Sequence, residues 1–345
     1  MHVVLPGDVD DPAAPSGGNT YDRRACQGLA AAGWSVQEVA ARGDWPRPGT
    51  ADRAALAGAL AALPDGTLVL LDGLVAAAVP DVVVAESRRL RLVVLVHLPL
   101  GAETGLAPAE AAELDARERE TLRSAAAVVA TSAAAGRGLI AHHGLAPARV
   151  HVVPPGVDVA ARAPGTDGAS ALLCVASVTP RKGHDVLVDA LATLVDLQWT
   201  CVCVGGLGRA PGHVDRLRRA IGAAGLGERV RLVGPRTGDA LAAAYAAADL
   251  FVLASRAETY GMVVTEALAR GIPVLATDAA GVPEAVGHAA GGDRPGMLVP
   301  PGDPAALAGA LRRWFTDPGL RRRLRLAAAD RRATLPGWDA TARGL

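Results

Sequence analysis

The 345-residue chain predicts an α/β protein with two Rossmann-like domains, each built on a parallel sheet, facing each other across a cleft. Three observations carry this expectation. Short apolar runs alternate with longer, Ala-rich amphipathic stretches from end to end, the pattern of strand–helix units in parallel sheets. The apolar runs lack period-two alternation, as strands covered on both faces do. The alternation also runs twice, interrupted by Pro154-Pro155-Gly156 and by the stretch 160–169 that holds Pro164, Gly165 and Gly168. A length of 345 residues likewise exceeds the usual span of one core.

In the first half, strands are expected at His2–Leu5, Ser35–Val39, Leu68–Leu71, Leu92–Val96, Ala127–Ala130 and Val150–Val153. In the second half they are expected at Ala171–Val175, Thr200–Val204, Val230–Val233, Leu250–Leu253, Val274–Ala276 and Met297–Val299. Helical stretches separate most of them, among them Asn19–Ala32, Ala107–Ser124, Gly183–Leu194, Gly261–Ala269 and Pro304–Trp314. The domains are therefore expected at 1–158 and 168–320, followed by a helical tail over 321–345. Aromatic residues are only 3% of the chain, so both cores must be packed mainly from Ala, Val and Leu.

Composition excludes several classes. The 35 basic and 35 acidic residues balance to zero net charge, whereas a general nucleic-acid binder carries a basic excess. Three of the four cysteines, Cys174, Cys201 and Cys203, lie in strand-like apolar runs, where cysteine behaves as a small hydrophobe. Their spacing is neither that of a zinc knuckle nor that of a redox pair. No apolar run approaches the ~18 residues of a membrane span, and the amino terminus lacks the basic flank and long apolar core of a signal peptide. A cytoplasmic protein is expected.

In open parallel sheets, ligands bind beyond the carboxyl ends of strands, so the residues there are candidates. After the first strand, a polar loop leads through Pro15-Ser16-Gly17-Gly18-Asn19 into a helix. Glycines in such a place let the backbone approach a phosphate, but no G-x-G-x-x-G is present, so a nicotinamide dinucleotide site is not supported. His97 ends another strand, before Pro99 and Gly101. It is either a substrate hydrogen-bond partner or a capped loop histidine. His142 and His143 read as helix C-terminal residues favoured by the dipole, not as ligands.

In the second half, Thr179-Pro180-Arg181-Lys182-Gly183 follows a strand and opens a helix. Lys182 is the only lysine among 35 basic residues, and two adjacent cations with helix N–H groups make a diphosphate site. Further on runs Glu258-Thr259-Tyr260-Gly261-Met262-Val263-Val264-Thr265-Glu266-Ala267-Leu268-Ala269-Arg270-Gly271-Ile272-Pro273-Val274. Glu258 stands in the loop beyond a strand. Glu266 lies in the first two turns of an otherwise apolar helix, where a carboxylate near the helix N-terminus can accept two hydrogen bonds from a ribose diol. A buried acid is costly without a partner, which favours a ligand role. Ala280-Gly281-Val282-Pro283-Glu284 follows the next strand and is placed to close the same pocket.

At these residues the chain resembles the retaining family-four glycosyltransferases of the GT-B fold (glycosyltransferase group 1), whose signature is two glutamates separated by seven residues. The likeness extends to Gly17-Gly18, Pro155-Gly156-Val157-Asp158, Thr179–Gly183 and Ala280–Glu284. It implies a hexosyltransferase using a nucleoside diphosphate sugar, UDP- or GDP-linked, and a hydroxyl acceptor, with no metal and no cofactor. It also implies roles. Lys182 with Arg181 would bind the diphosphate, Glu266 the ribose and Glu258 the sugar hydroxyls. Backbone N–H groups near Gly261, Met262 and Val263 would cradle the phosphates. Gly17 and Gly18 would face the diphosphate, and His97 would touch the transferred sugar. Front-face attack would leave Glu258 without a nucleophile's role. The chain departs from the family in Ser177, where many relatives have arginine, in Pro155, where many have asparagine, and in ending soon after Trp338. Two other readings use the same site: a non-catalytic sugar-nucleotide binder, and a nucleotide-sugar epimerase, for which no acid/base set is visible. A phosphorylase of this fold would carry a late cofactor lysine, which is absent.

Overall fold

The computed structural model describes residues 1–12, 15–103 and 105–345. The chain forms two compact units. The first comprises Met1–Asp11, Ser16–Gly156 and Trp338–Leu345, and the second is built on Val157–Gly337. This division differs from the expected one at the carboxyl end, because residues 321–345 are not a separate tail. The helix Pro318–Arg332 belongs to the second unit and the helix Trp338–Gly344 to the first.

All twelve expected strands are present. The first sheet contains β1 (His2–Pro6), β2 (Gln37–Ala41), β3 (Leu68–Asp72), β4 (Arg91–Val96), β5 (Ala127–Ala130) and β6 (Val150–Val152), in the order β2-β1-β3-β4-β5-β6. The second contains β7 (Ala171–Val175), β8 (Thr200–Val204), β9 (Val230–Leu232), β10 (Leu250–Leu253), β11 (Val274–Thr277) and β12 (Gly296–Val299), in the order β12-β11-β10-β7-β8-β9. The pairings in both sheets are parallel. In each sheet the first strand has neighbours that lead the chain in opposite directions. The strand order therefore reverses between β1 and β3, and between β7 and β10. Such reversals open a crevice at the carboxyl ends of the two strands.

Packing follows the composition. β10 is buried along its whole length, as is β11. The core around them is mainly Leu, Val and Ala, with Trp199, Tyr245, Phe251, Tyr260 and Trp314 as its aromatic members. The helix Trp338–Gly344 packs on the first unit's helix Gly17–Ala31. There Trp338 meets the Tyr21 ring edge-on at 5.8 Å, and Thr341 Oγ1 donates to Pro154 O at 2.9 Å. Gly28 permits the approach, since a Cβ on it would lie 2.7 Å from the Ala342 methyl. Among the described residues, no helix is long and apolar enough to cross a membrane.

The second unit is tied at its entry by Asp249, which is buried at the foot of β10. Its carboxylate accepts from Thr166 N at 2.9 Å and Gly168 N at 3.1 Å on Oδ1, and from Thr166 Oγ1 at 2.6 Å and Ala171 N at 3.1 Å on Oδ2. Asp249→Ala would strand three backbone donors and is expected to lower unfolding free energy by roughly 3 kcal/mol or more, measured by urea denaturation. A loss under about 1 kcal/mol would show that water replaces the carboxylate at no cost.

Candidate functional site

At the second unit's switch point, the segment after β7 and the loop after β10 are strapped together. Gly183 makes this possible. It sits at φ +65°, and a Cβ there would fall 2.0 Å from Ala254 O, so only glycine lets the two backbones approach this closely. Arg256 N donates to Arg181 O at 2.7 Å. The Arg256 guanidinium forks onto Asp185 at 2.8 and 2.7 Å and also donates to Pro180 O at 2.6 Å.

The strapping gathers Arg181, Lys182 and Glu258 into one ion cluster. Glu258 is only 7% exposed. Its Oε1 accepts from Lys182 Nζ and from Ser255 Oγ, the latter at 2.8 Å. Arg181 Nη1 lies 3.6 Å from Oε2 and donates to Ala257 O at 3.1 Å. Burial pushes the Glu258 carboxyl up, but the charges of Lys182 and then Arg181, with the hydrogen bonds, outweigh it and hold the group below its ordinary range. From sequence, Glu258 is a loop residue apart from the two cations. The structure makes it their shared counter-ion.

Glu266 stands on the helix Met262–Ala269, entered through Gly261 at φ +96°. Here the expectation of a buried acid without a protein partner is corrected: Glu266 is half-buried and has such a partner. Tyr245 donates its hydroxyl to Oε2 at 2.8 Å. The Arg270 guanidinium lies over the Tyr245 ring at 4.4 Å and donates to Glu266 O at 2.9 Å. Burial raises the Glu266 carboxyl, against the pull of Tyr245 and Arg270. Its Oε1 makes no hydrogen bond among the described residues. The first-turn N–H groups of Met262 and Val263 lack intrahelical acceptors by helix geometry. The turn at Ala280-Gly281 locks the loop beside them. Gly281 N donates to Glu258 O at 3.2 Å, and a Cβ on Gly281 would lie 1.9 Å from Thr259 O.

The first unit holds a second cluster at its own switch point. Asp72 ends β3, Asp22 lies on the buried face of the helix Gly17–Ala31, and His97 follows β4. His97 Nε2 is 2.7 Å from Asp22 Oδ1 and 3.4 Å from Asp72 Oδ2. Burial alone would lower the His97 pKa, but the Asp22 charge and hydrogen bond, then Asp72, push it up to about 9. Burial, then the Asp22 charge, pushes Asp72 up to about 8. The expected loop Gly17-Gly18 is already helix, capped by Ser16 Oγ, which accepts from Asn19 N at 3.0 Å. Gly18 backs onto the imidazole, where a Cβ would sit 3.2 Å from His97 Cδ2. Sequence reasoning missed Asp22 and Asp72. The available signals were an acid on an apolar helix face beside Tyr21, and an acid closing the run Leu68-Val69-Leu70-Leu71.

Other titratable groups serve packing. His142 pairs with Asp115, and His143 Nε2 with Glu118 at 3.1 Å, joining the helices Ala133–His143 and Pro108–Ser124. The four cysteines are buried and free. Among them, the hydrogen bond with Cys203 and then burial hold Cys174 as a thiol well above the ordinary range, while for Cys203 the pull of the Cys174 hydrogen bond is outweighed by the Cys201 hydrogen bond and burial.

Residues 162–331 match the family described as Glycosyl transferases group 1, and residues 15–161 the one described as Glycosyltransferase Family 4. The D-inositol 3-phosphate glycosyltransferase of Jonesia denitrificans is 36% identical over 260 residues, 69% of this chain and 60% of that protein. Its namesake from Kineococcus radiotolerans is 38% identical over 248 residues, 65% of this chain and 57% of that protein. The match thus spans about three fifths of these relatives' length. Two solved structures share the fold. Sucrose-phosphate synthase from Thermosynechococcus elongatus has a TM-score of 0.79 at 24% identity, covering 99% of this chain and 96% of that one. Anabaena HepE, in complex with UDP and glucose, has a TM-score of 0.76 at 20% identity, covering 99% and 97%.

The first unit's cluster makes stability depend on pH. His97 rises from an ordinary 6.5 to about 9 on folding, and Asp72 from 3.8 to about 8. A group whose folded pKa is raised stabilises fully below its unfolded value and loses that contribution as pH rises through the folded one. The first unit's melting temperature should therefore fall between pH 6 and pH 9. Asp72→Asn, which stays neutral, should flatten the slope. Calorimetry across this range checks both, and a level wild-type profile would contradict the assignment.

Proposed function

Because the chain belongs to the group 1, family-four glycosyltransferases, we propose that it is a retaining enzyme moving a hexose-type sugar from a nucleoside diphosphate sugar to a hydroxyl acceptor. The observation that carries this reading is the Arg181–Lys182–Glu258 cluster at the β7/β10 switch point, with Glu266 on the helix that follows. In the proposed roles, Glu266 binds the ribose diol and the N–H groups of Gly261, Met262 and Val263 bind phosphate oxygens. Glu258 binds sugar hydroxyls. In the first unit, Gly17 and Gly18 face the donor diphosphate and let it approach their backbone closely, and His97 contacts an oxygen of the transferred sugar.

The hard step of glycosyl transfer is the charge that builds on the departing diphosphate while the sugar becomes cation-like. Lys182, Arg181 and the helix N–H groups oppose that charge with little reorganisation, since Gly183 and Arg256 already hold the loops together. These fixed cations supply the positive charge that a divalent ion would otherwise bring, so the reaction is proposed to need neither metal nor cofactor. Front-face transfer with retention fits Glu258 as well. A carboxylate stabilised by two cations and a hydroxyl is a poor nucleophile, so a glycosyl–enzyme intermediate of the glycosidase kind is not proposed. The donor is proposed to be UDP- or GDP-linked. The names of the curated relatives make a cyclitol phosphate the first acceptor to test.

A thermal-shift screen of UDP-, GDP- and TDP-sugars identifies the donor, and acceptor-dependent nucleotide release then establishes transfer. Binding without turnover would favour the non-catalytic reading. With the donor known, Glu266→Ala is expected to weaken its binding at least tenfold, about 1.4 kcal/mol, with little change in melting temperature. Lys182→Ala is expected to lower kcat by about a hundredfold, in the range seen when one preorganised group is removed from a developing anion. Unchanged affinity and rate in both variants would sink the site assignment.

A further inference from the structure

His97, Asp22 and Asp72 come from three separate elements of the first unit, and packing alone does not account for them together. A histidine that merely filled space would need one acceptor. Here Nε2 faces two carboxylates, at 2.7 and 3.4 Å. The acids are almost sealed, at 2% and 4% side-chain exposure, while His97 is 18% exposed and forms the cluster's open edge. Two buried acids cost more than apolar residues of the same size would. Only Asp72 also serves the local backbone. Its Oδ1 accepts from Leu74 N at 2.7 Å and Val75 N at 3.2 Å, capping the turn Gly73–Ala76.

The ring is also fixed in direction. Gly18 leaves it room on one side, Tyr21 meets it edge-on at 5.2 Å, and the acids hold Nε2. One atom marks the proton arrangement. Asp22 Oδ2 is buried and has no donor among the described residues, which two ionised carboxylates side by side would leave uncompensated. A carboxylate oxygen of Asp72 lies within 4.8 Å of one of Asp22, so a proton on Asp72 would supply that donor, and hydrogen bonding between the two acids is among the causes that raise Asp72.

Resting on the transferase reading above, we propose that Asp22 and Asp72 are positioning residues for His97: Asp22 is the ionised acceptor of Nε2–H, and Asp72 is a neutral acid donating to Asp22, so that His97 meets the substrate as an imidazolium in one fixed orientation. The imidazolium serves as a cation for a substrate oxygen that gains negative charge during transfer. The titratable groups facing the ring include Asp22 and Tyr21 from the helix Gly17–Ala31 and Asp72 from β3. Burial, with the Asp22 charge, raises Tyr21, which therefore stays neutral throughout.

The test is an NMR titration of the His97 ring in the full chain, alongside pH–rate profiles with the donor found in the screen. In the wild type the ring should titrate near pH 9, and the alkaline limb of kcat should follow it. In Asp22→Asn both should move down by two or more pH units, with kcat at pH 8 reduced at least tenfold and the donor KM within threefold. In Asp72→Asn the ring's midpoint should move by less than one unit, because Asp22, the larger influence on the ring, keeps its charge and its hydrogen bond. A wild-type His97 titrating in the ordinary range overturns the proposal. Equal shifts in the two variants, or losses of activity that are the same at every pH, overturn it too. A stoichiometric divalent ion that is lost in Asp22→Asn also overturns it, since a metal would require a neutral imidazole. Should Asp22→Asn fail to fold, the wild-type midpoint and the Asp72→Asn shift still decide. The titration needs no turnover, so a wild type that transfers no sugar would count against the transferase reading alone.

Discussion

The buried carboxylate of Glu258 is the constraint from which the second unit's site follows. An ionised acid at 7% exposure persists only if positive charge and hydrogen bonds come with it. Lys182, Arg181 and Ser255 provide them. For the cations to reach it, the loops beyond β7 and β10 must lie against each other. That proximity demands glycine at 183, and the turn that backs the Glu258 loop demands it at 281. The Arg256–Asp185 fork then holds the arrangement from the solvent side.

The parallel sheet explains why the cluster forms where it does. Every strand in such a sheet delivers its following loop to the same edge, and the loops part only where strand order reverses. The reversal at β7/β10 leaves a gap with helix N-termini around it, suited to an anion. The reversal at β1/β3 does the same in the first unit, and there the residues brought together are two acids and a histidine. One sheet plan thus carries two electrostatic solutions, a carboxylate held by cations and an imidazole held by carboxylates.

Both clusters hold charge in place through the protein's own groups. Preorganisation of this kind costs folding stability, because buried ions are poorer than apolar packing. The broad Leu, Val and Ala core around β10 and β11 offsets that cost. In the proposed transfer the benefit is a field that does not have to reorganise as charge develops.

Much was legible from residue order alone. Strand positions followed from apolar runs, because a strand covered on both faces leaves no room for polar residues. Glu258, the lone Lys182 and His97 are candidates from sequence because each lies in a segment beyond a strand, where chain direction in a parallel sheet gathers the loops, and Glu266 because it lies early on the helix that follows. What sequence order does not encode is which of these groups meet. Lys182 and Glu258 are 76 residues apart, and only the order of β7 and β10 in the sheet makes them partners. Tyr245 reaches Glu266 in the same way, across 21 residues. Asp22 and Asp72 were missed for this reason. Each alone is an acid beside apolar neighbours, and only the tertiary placement that brings the first helix to the residues ending β3 and following β4 turns the two into the partners of His97.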